Sequence, residues 1–101
     1  MQQYTLLLNW REGLTVEQRD GALMRRAQWQ YPEGSVPIGE YWLASQRPGV
    51  IVVLEADGYA PIMEMQFTWG DVFDITVHPS ITPEDGLKIG PEIMARAMAH
   101  R

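Results

Sequence analysis

The chain has 101 residues, of which 46% are hydrophobic and 21% charged, and its formal net charge is −5. That length holds one domain, and the acidic balance argues against nucleic acid or an anionic membrane as a partner. Cysteine is absent, which removes disulfides, thiolate catalysis and thiol-ligated metals.

The longest apolar run is about five residues, against the ~20 needed to span a bilayer. Met1-Gln2-Gln3-Tyr4 lacks the basic stretch and apolar core of a signal peptide, so a cytoplasmic protein is expected. In chain order, the first strand is expected from about Gln3 to Trp10. A turn at Glu12-Gly13 leads into Thr15-Val16-Glu17-Gln18, spaced as a capping box in which Thr15 caps and Gln18 reaches back. The helix that follows is expected to run to about Gln30. Its thin apolar stripe is Val16, Leu23, Met24 and Ala27, and Arg25-Arg26 fall on its exposed side. Residues Tyr31 to Pro37 read as a loop.

The second strand is expected over Ile38 to Ala44 and the third over Gly49 to Glu55. The connector Ser45-Gln46-Arg47-Pro48-Gly49 suits a hairpin, with Pro48 presetting one turn position and Gly49 tolerating positive φ at the next. Within the third strand, Val50-Ile51-Val52-Val53-Leu54 has no polar side, so both its faces need cover. The second helix is expected to begin at 58 to 60, because Pro61 is tolerated only in a first turn. Its apolar face is Ile62, Met65 and Trp69, and Gly70 is placed to end it in a left-handed conformation. The fourth strand runs from about Val72 to His78. Thr82-Pro83-Glu84-Asp85 then opens a helix that Gly90-Pro91 is expected to interrupt, with a last helix from Glu92 to about Ala99.

The order is β-α-β-β-α-β plus a C-terminal helix. It predicts a single α+β domain over 1–101, ferredoxin-like over 3–80, with a four-stranded antiparallel sheet and a helical tail over 81–101. Both crossover helices then cover one face of the sheet, and we expect a second copy of the chain to cover the other. Four tryptophans, Trp10, Trp29, Trp42 and Trp69, suit a crowded core or interface.

The segments Glu55-Ala56-Asp57 and Trp69-Gly70-Asp71-Val72-Phe73-Asp74-Ile75-Thr76-Val77-His78-Pro79 resemble an uncharacterised bacterial and archaeal family. That family carries Glu-x-Asp after the third strand and then Trp-x-Asp-Leu-x-Asp/Glu-Phe-x-Val-x-Pro. A first strand ending in Trp10 is also similar, whereas Gly58-Tyr59-Ala60-Pro61 departs from the proline that relatives place directly after the aspartates. The resemblance implies the dimeric α+β barrel superfamily, in which two ferredoxin-like sheets pack with their open faces together. It implies no established activity.

Strand parity sorts the polar residues. Phe73, Ile75 and Val77 form an apolar side assigned to the helices, which leaves Asp74, Thr76 and His78 on the open side. Thr5, Leu7 and Asn9 are assigned to that side from the first strand, Glu40 and Trp42 from the second, and Glu55 from the third. The expected ligand-lining set is therefore Asn9, Glu40, Trp42, Asp74 and His78 around an apolar floor. Asp74 and His78 lie about 13 Å apart along the strand, at ~3.3 Å per residue, so they do not form a dyad. No metal is expected, since His100 is the only other histidine and no His-x-His spacing exists. No cofactor motif is present either. The expected function is a homodimer that binds a small molecule in its barrel or serves as an oligomeric module. The alternative is a cofactor-independent enzyme, monooxygenase- or isomerase-like, acting on a small aromatic substrate. The superfamily resemblance implies Asn9 and Trp42 for that role, with His78 as a further candidate.

Overall fold

Four apolar segments pair into one sheet, and two helices close over one side of it. The computed structural model describes residues 1–100; Arg101, the end of the expected tail, lies outside the described residues. The elements are β1 (Gln2–Trp10), α1 (Val16–Gln28), β2 (Ser35–Trp42), β3 (Val50–Ala56), α2 (Ala60–Trp69), β4 (Phe73–Pro79) and α3 (Pro83–Ala99). The strand order is β2-β3-β1-β4, and each neighbouring pair is antiparallel. This is the ferredoxin-like α+β arrangement that the element order predicts.

Register explains which residues are buried. Leu6 pairs with Val52 and Val77, and Leu8 with Val50 and Ile75, so these side chains share the helix-covered face. Leu6 and Leu54 are fully buried there, under Ile62, Met65 and Trp69 of α2. The opposite, open face carries Leu7, Ile51 and Val53 in the middle of the sheet, with Val36 and Tyr41 at the β2 edge. None of these five is buried by the chain itself.

Helix α1 starts as the sequence predicts. Thr15 Oγ1 accepts from the Gln18 backbone N–H at 3.1 Å, and Gln18 Oε1 accepts from the Thr15 N–H at 2.9 Å. Its docking is different from the expected one. Val16, Leu23, Met24 and Ala27 stay exposed, and Ala22 is the one buried residue of the helix. Arginines face inward instead. The guanidinium of Arg19 lies 5.1 Å from the Trp10 ring centroid, that of Arg25 4.6 Å from Trp69, and that of Arg26 5.4 Å from Trp29. Arginine stems and ring faces thus do what aliphatic side chains do elsewhere, because a long stem covers apolar surface while its head meets a π-face. The expected exposed pair Arg25-Arg26 is part of the packing.

Three further expectations are corrected. Gly70 ends α2 in a right-handed conformation, φ −67°. Its lack of Cβ matters because one would lie 2.6 Å from the Gln66 carbonyl oxygen. Gly49 has no positive φ; its amide donates to Leu8 and its carbonyl accepts from Leu43, both at 2.8 Å, and a Cβ there would collide with the Trp10 indole. Finally, α3 runs unbroken through Gly90-Pro91. Pro91 cannot donate to the Leu87 carbonyl, but α3 has no buried residue, so solvent can satisfy that group.

Helix α3 also stretches the molecule. The extents are 57 × 27 × 19 Å and the radius of gyration is 16.9 Å, against about 13 Å for a compact domain of this length. It does not fold back over the open face.

Replacing Gly49 with Ala should cost about 2 kcal/mol, because the Trp10 ring is held 4.2 Å from Phe73 and cannot swing away freely. Urea unfolding measures this, and an unchanged midpoint would contradict the contact.

Candidate functional site

The polar residues singled out by parity divide between the two faces of the sheet. The cause is one residue in β2. Pro37 pairs with Leu54 and Gly39 with Val53, so Ile38 is an extra residue between consecutive pairs. Beyond that bulge Glu40 pairs with Val52 and Trp42 with Val50. Both therefore sit on the helix-covered face, which corrects their assignment to the open side. In regular register Glu40 would have pointed the other way.

Asn9, Asp74 and His78 do lie on the open face, as does Glu55. Asn9 Nδ2 donates to the Asp74 backbone carbonyl at 3.3 Å. The Asp74 carboxylate meets Arg11 at 2.9 Å and Arg47 at 3.9 Å. His78 Nε2 is 3.1 Å from Thr76 Oγ1. At the far end of the same face, Ser80 Oγ accepts from Gln3 Nε2 at 3.0 Å and from Thr5 Oγ1 at 2.9 Å. These contacts fix strand ends, and the carboxylate and the imidazole remain apart.

On the helix side Glu40 becomes the centre of a cluster. Its Oε1 accepts from Arg26 Nη2 at 2.9 Å and from the Tyr31 hydroxyl at 2.6 Å. Its Oε2 accepts from Arg26 Nε at 3.0 Å and from Trp42 Nε1 at 2.7 Å. Elements α1, β2 and the segment between them each supply a partner. The Trp29 and Tyr31 rings meet at 4.7 Å, tilted by 55°, and Trp29 meets the edge of Trp69 at 5.7 Å, holding that segment over the sheet.

These bonds set the protonation states. Burial raises the Glu40 carboxyl, but the hydrogen bonds from Arg26, Tyr31 and Trp42 outweigh it, and the group stands below its ordinary value. The hydrogen bond to Glu40 raises Arg26 further, against the opposing effect of its burial. Burial, then the bond to Glu40, raises the Tyr31 hydroxyl well above its usual value. At neutral pH the cluster is one carboxylate, one guanidinium and a neutral phenol. With every lone-pair direction of Glu40 in use and its basicity lowered, the carboxylate is a poor proton acceptor for chemistry. It is a positioning group.

Beside the cluster is a cavity of about 160 Å³. Leu8, Val50 and Val52 form its floor, Ala22 and Leu23 one wall, and Trp10, Trp69 and Phe73 another, with Glu40 and Arg26 at the polar end. Of the sequence candidates, only Glu40 and Trp42 line it. Arg26, Tyr31 and Trp29 were not singled out as site residues. The signal that could have found them is Pro37-x-Gly39 inside a strand, since proline and glycine together there mark a bulge. Among the described residues no cluster of His, Asp and Glu could hold a metal, and no helix is long and apolar enough to cross a membrane.

Glu40→Gln should cost about 2 kcal/mol at pH 7, near the low end for a charged hydrogen-bonded pair because Arg26 is one-third exposed. The folded carboxyl has the lower pKa, so its contribution is full above the ordinary value of about 4.3 and fades as pH falls through the folded value. Urea unfolding of both forms should give a constant gap above about pH 5 that narrows below about pH 4. A gap independent of pH would contradict the charged pair.

Comparison with known proteins adds a family and no activity. No curated protein and no solved structure matches the chain. Residues 2–93 match the family described as Domain of unknown function (DUF3303), and the chain belongs to that family.

Proposed function

We propose that this protein is a small-molecule-binding domain that works as a homodimer. The observation that carries the binding role is the preformed apolar cavity whose one polar wall, the Glu40 cluster, is held rigid by its own hydrogen bonds. Ligand sites are concave, apolar and equipped with a few fixed polar groups, and this cavity has each of those properties. Binding is favoured over catalysis because Glu40 has no free lone pair to act as a base. The pairing of Asn9 with Trp42 that an enzyme would use is also divided between the two faces.

The dimer is supported by the uncovered face and by α3. Four strands spaced ~4.8 Å apart and seven residues at ~3.3 Å give a face of roughly 440 Å² in projection, against ~800 Å² per partner in a standard interface. Helix α3 supplies further apolar surface through Leu87, Met94 and Met98, all mostly exposed. An isolated helix of its length, with Gly86, Gly90 and Pro91 inside it, is only marginally stable, so a partner that covers it would stabilise it. In this dimer Asn9, Asp74 and His78 lie in the seam between two sheets.

Light scattering should report about twice 11.5 kDa. Val53→Asp, on the open face, should give a folded monomer, whereas Val52→Asp, buried on the helix side, should unfold the chain. A wild-type monomer at micromolar concentration would refute the assembly. For the cavity, xenon pressure should shift amide resonances around Leu8, Val50 and Met65, as xenon does in an apolar cavity of about 150 Å³. Ala22→Leu should abolish those shifts, and a wild type that shows none would sink the binding role.

A further inference from the structure

The cavity's size and its committed polar atoms narrow the class of ligand, on the reading that the cavity is the binding site. At about 160 Å³ it matches the space that takes up benzene, and lies below the ~300 Å³ at which sites for drug-sized ligands begin. A nucleotide or flavin could place no more than one ring in it. Charge is excluded by the wall. Glu40 and Arg26 already neutralise each other across two hydrogen bonds of 2.9 and 3.0 Å, and the hydroxyl of Tyr31 and the indole N–H of Trp42 both point at the same carboxylate. The backbone groups of Gly49 are used by Leu8 and Leu43. An anionic ligand would face the Glu40 carboxylate and would have to win Arg26 from it; a cationic one would face Arg26. Either leaves a charge unpaired in a half-buried site.

What the cavity does offer is apolar surface, aromatic on one side. Trp10, Trp69 and Phe73 line it, with Trp10 and Phe73 at 4.2 Å and Trp69 and Phe73 edge-on at 6.3 Å. We propose that the site takes a neutral ligand of single-ring size, aromatic or alicyclic, whose charge-free body packs on these rings and whose one polar substituent points to the mouth. The mouth lies at the most exposed lining residues, Trp42, Leu23 and Leu43, which are 59%, 48% and 38% exposed. Neutrality is imposed by the Glu40–Arg26 pair, so the pair acts as a charge filter.

The test is a titration of the full chain at pH 7 with phenol, indole and benzoate, read by amide shifts and calorimetry. Phenol and indole should bind saturably, and benzoate at least tenfold more weakly. Glu40→Gln removes the countercharge of Arg26, so the preference for phenol over benzoate should shrink at least tenfold. Arg26→Met, should the first variant unfold, leaves a lone carboxylate and should widen the preference for phenol over benzoate. Ala22→Leu should abolish binding of all three. Benzoate binding the wild type as tightly as phenol would overturn the charge filter and leave the cavity as a site. Failure of all three probes, or binding indifferent to Ala22→Leu, would overturn the cavity itself.

Discussion

A four-stranded sheet with apolar side chains on both faces must be covered twice, and two crossover helices can cover it once. That constraint organises this molecule. On one side α1 and α2 bury Leu6, Val52 and Leu54 almost completely. On the other, Leu7, Ile51 and Val53 keep partial access to solvent, and the remaining helix runs away from them. Hydrophobic burial scales with area removed from water, and the naked face and the projecting α3 are the surfaces on which the proposed dimer rests.

The cavity is a consequence of how α1 is docked. A helix that buried four aliphatic side chains would close on the sheet directly. This one buries Ala22 and reaches the sheet through arginines laid over tryptophan and tyrosine rings. Long stems hold the helix off the strands, and a small residue at its centre leaves room beneath. Glu40 is then necessary to the arrangement, since a guanidinium turned inward among rings needs a counterion.

Much of the fold was legible because its signals are local. The capping box at Thr15, the apolar repeat of Ile62, Met65 and Trp69, and the parity of β4 are each fixed by neighbours within a few residues. The phase of α1 was not legible in this way: most of its apolar stripe stays exposed, because the sheet offers ring faces that suit arginine better. The β2 parity failed for a different reason. Alternation carries information only while register is unbroken, and the extra Ile38 inverts every side chain beyond it. That single slip separates Glu40 and Trp42 from Asn9, Asp74 and His78. Gly90-Pro91 signals a break because proline usually ends a helix that is packed; α3, with no buried residue, tolerates the missing bond.

The guanidinium stacks along α1 have an optical consequence. Trp10, Trp29 and Trp69 each sit under a different arginine of one helix, whereas Trp42 stands in the open. Indole emission responds to a cation above the ring, so any sliding or lifting of α1 alters three chromophores together, and the fourth feels it through the Glu40 carboxylate that Trp42 shares with Arg26. The native chain thus carries a built-in fluorescence gauge of the distance between its first helix and its sheet.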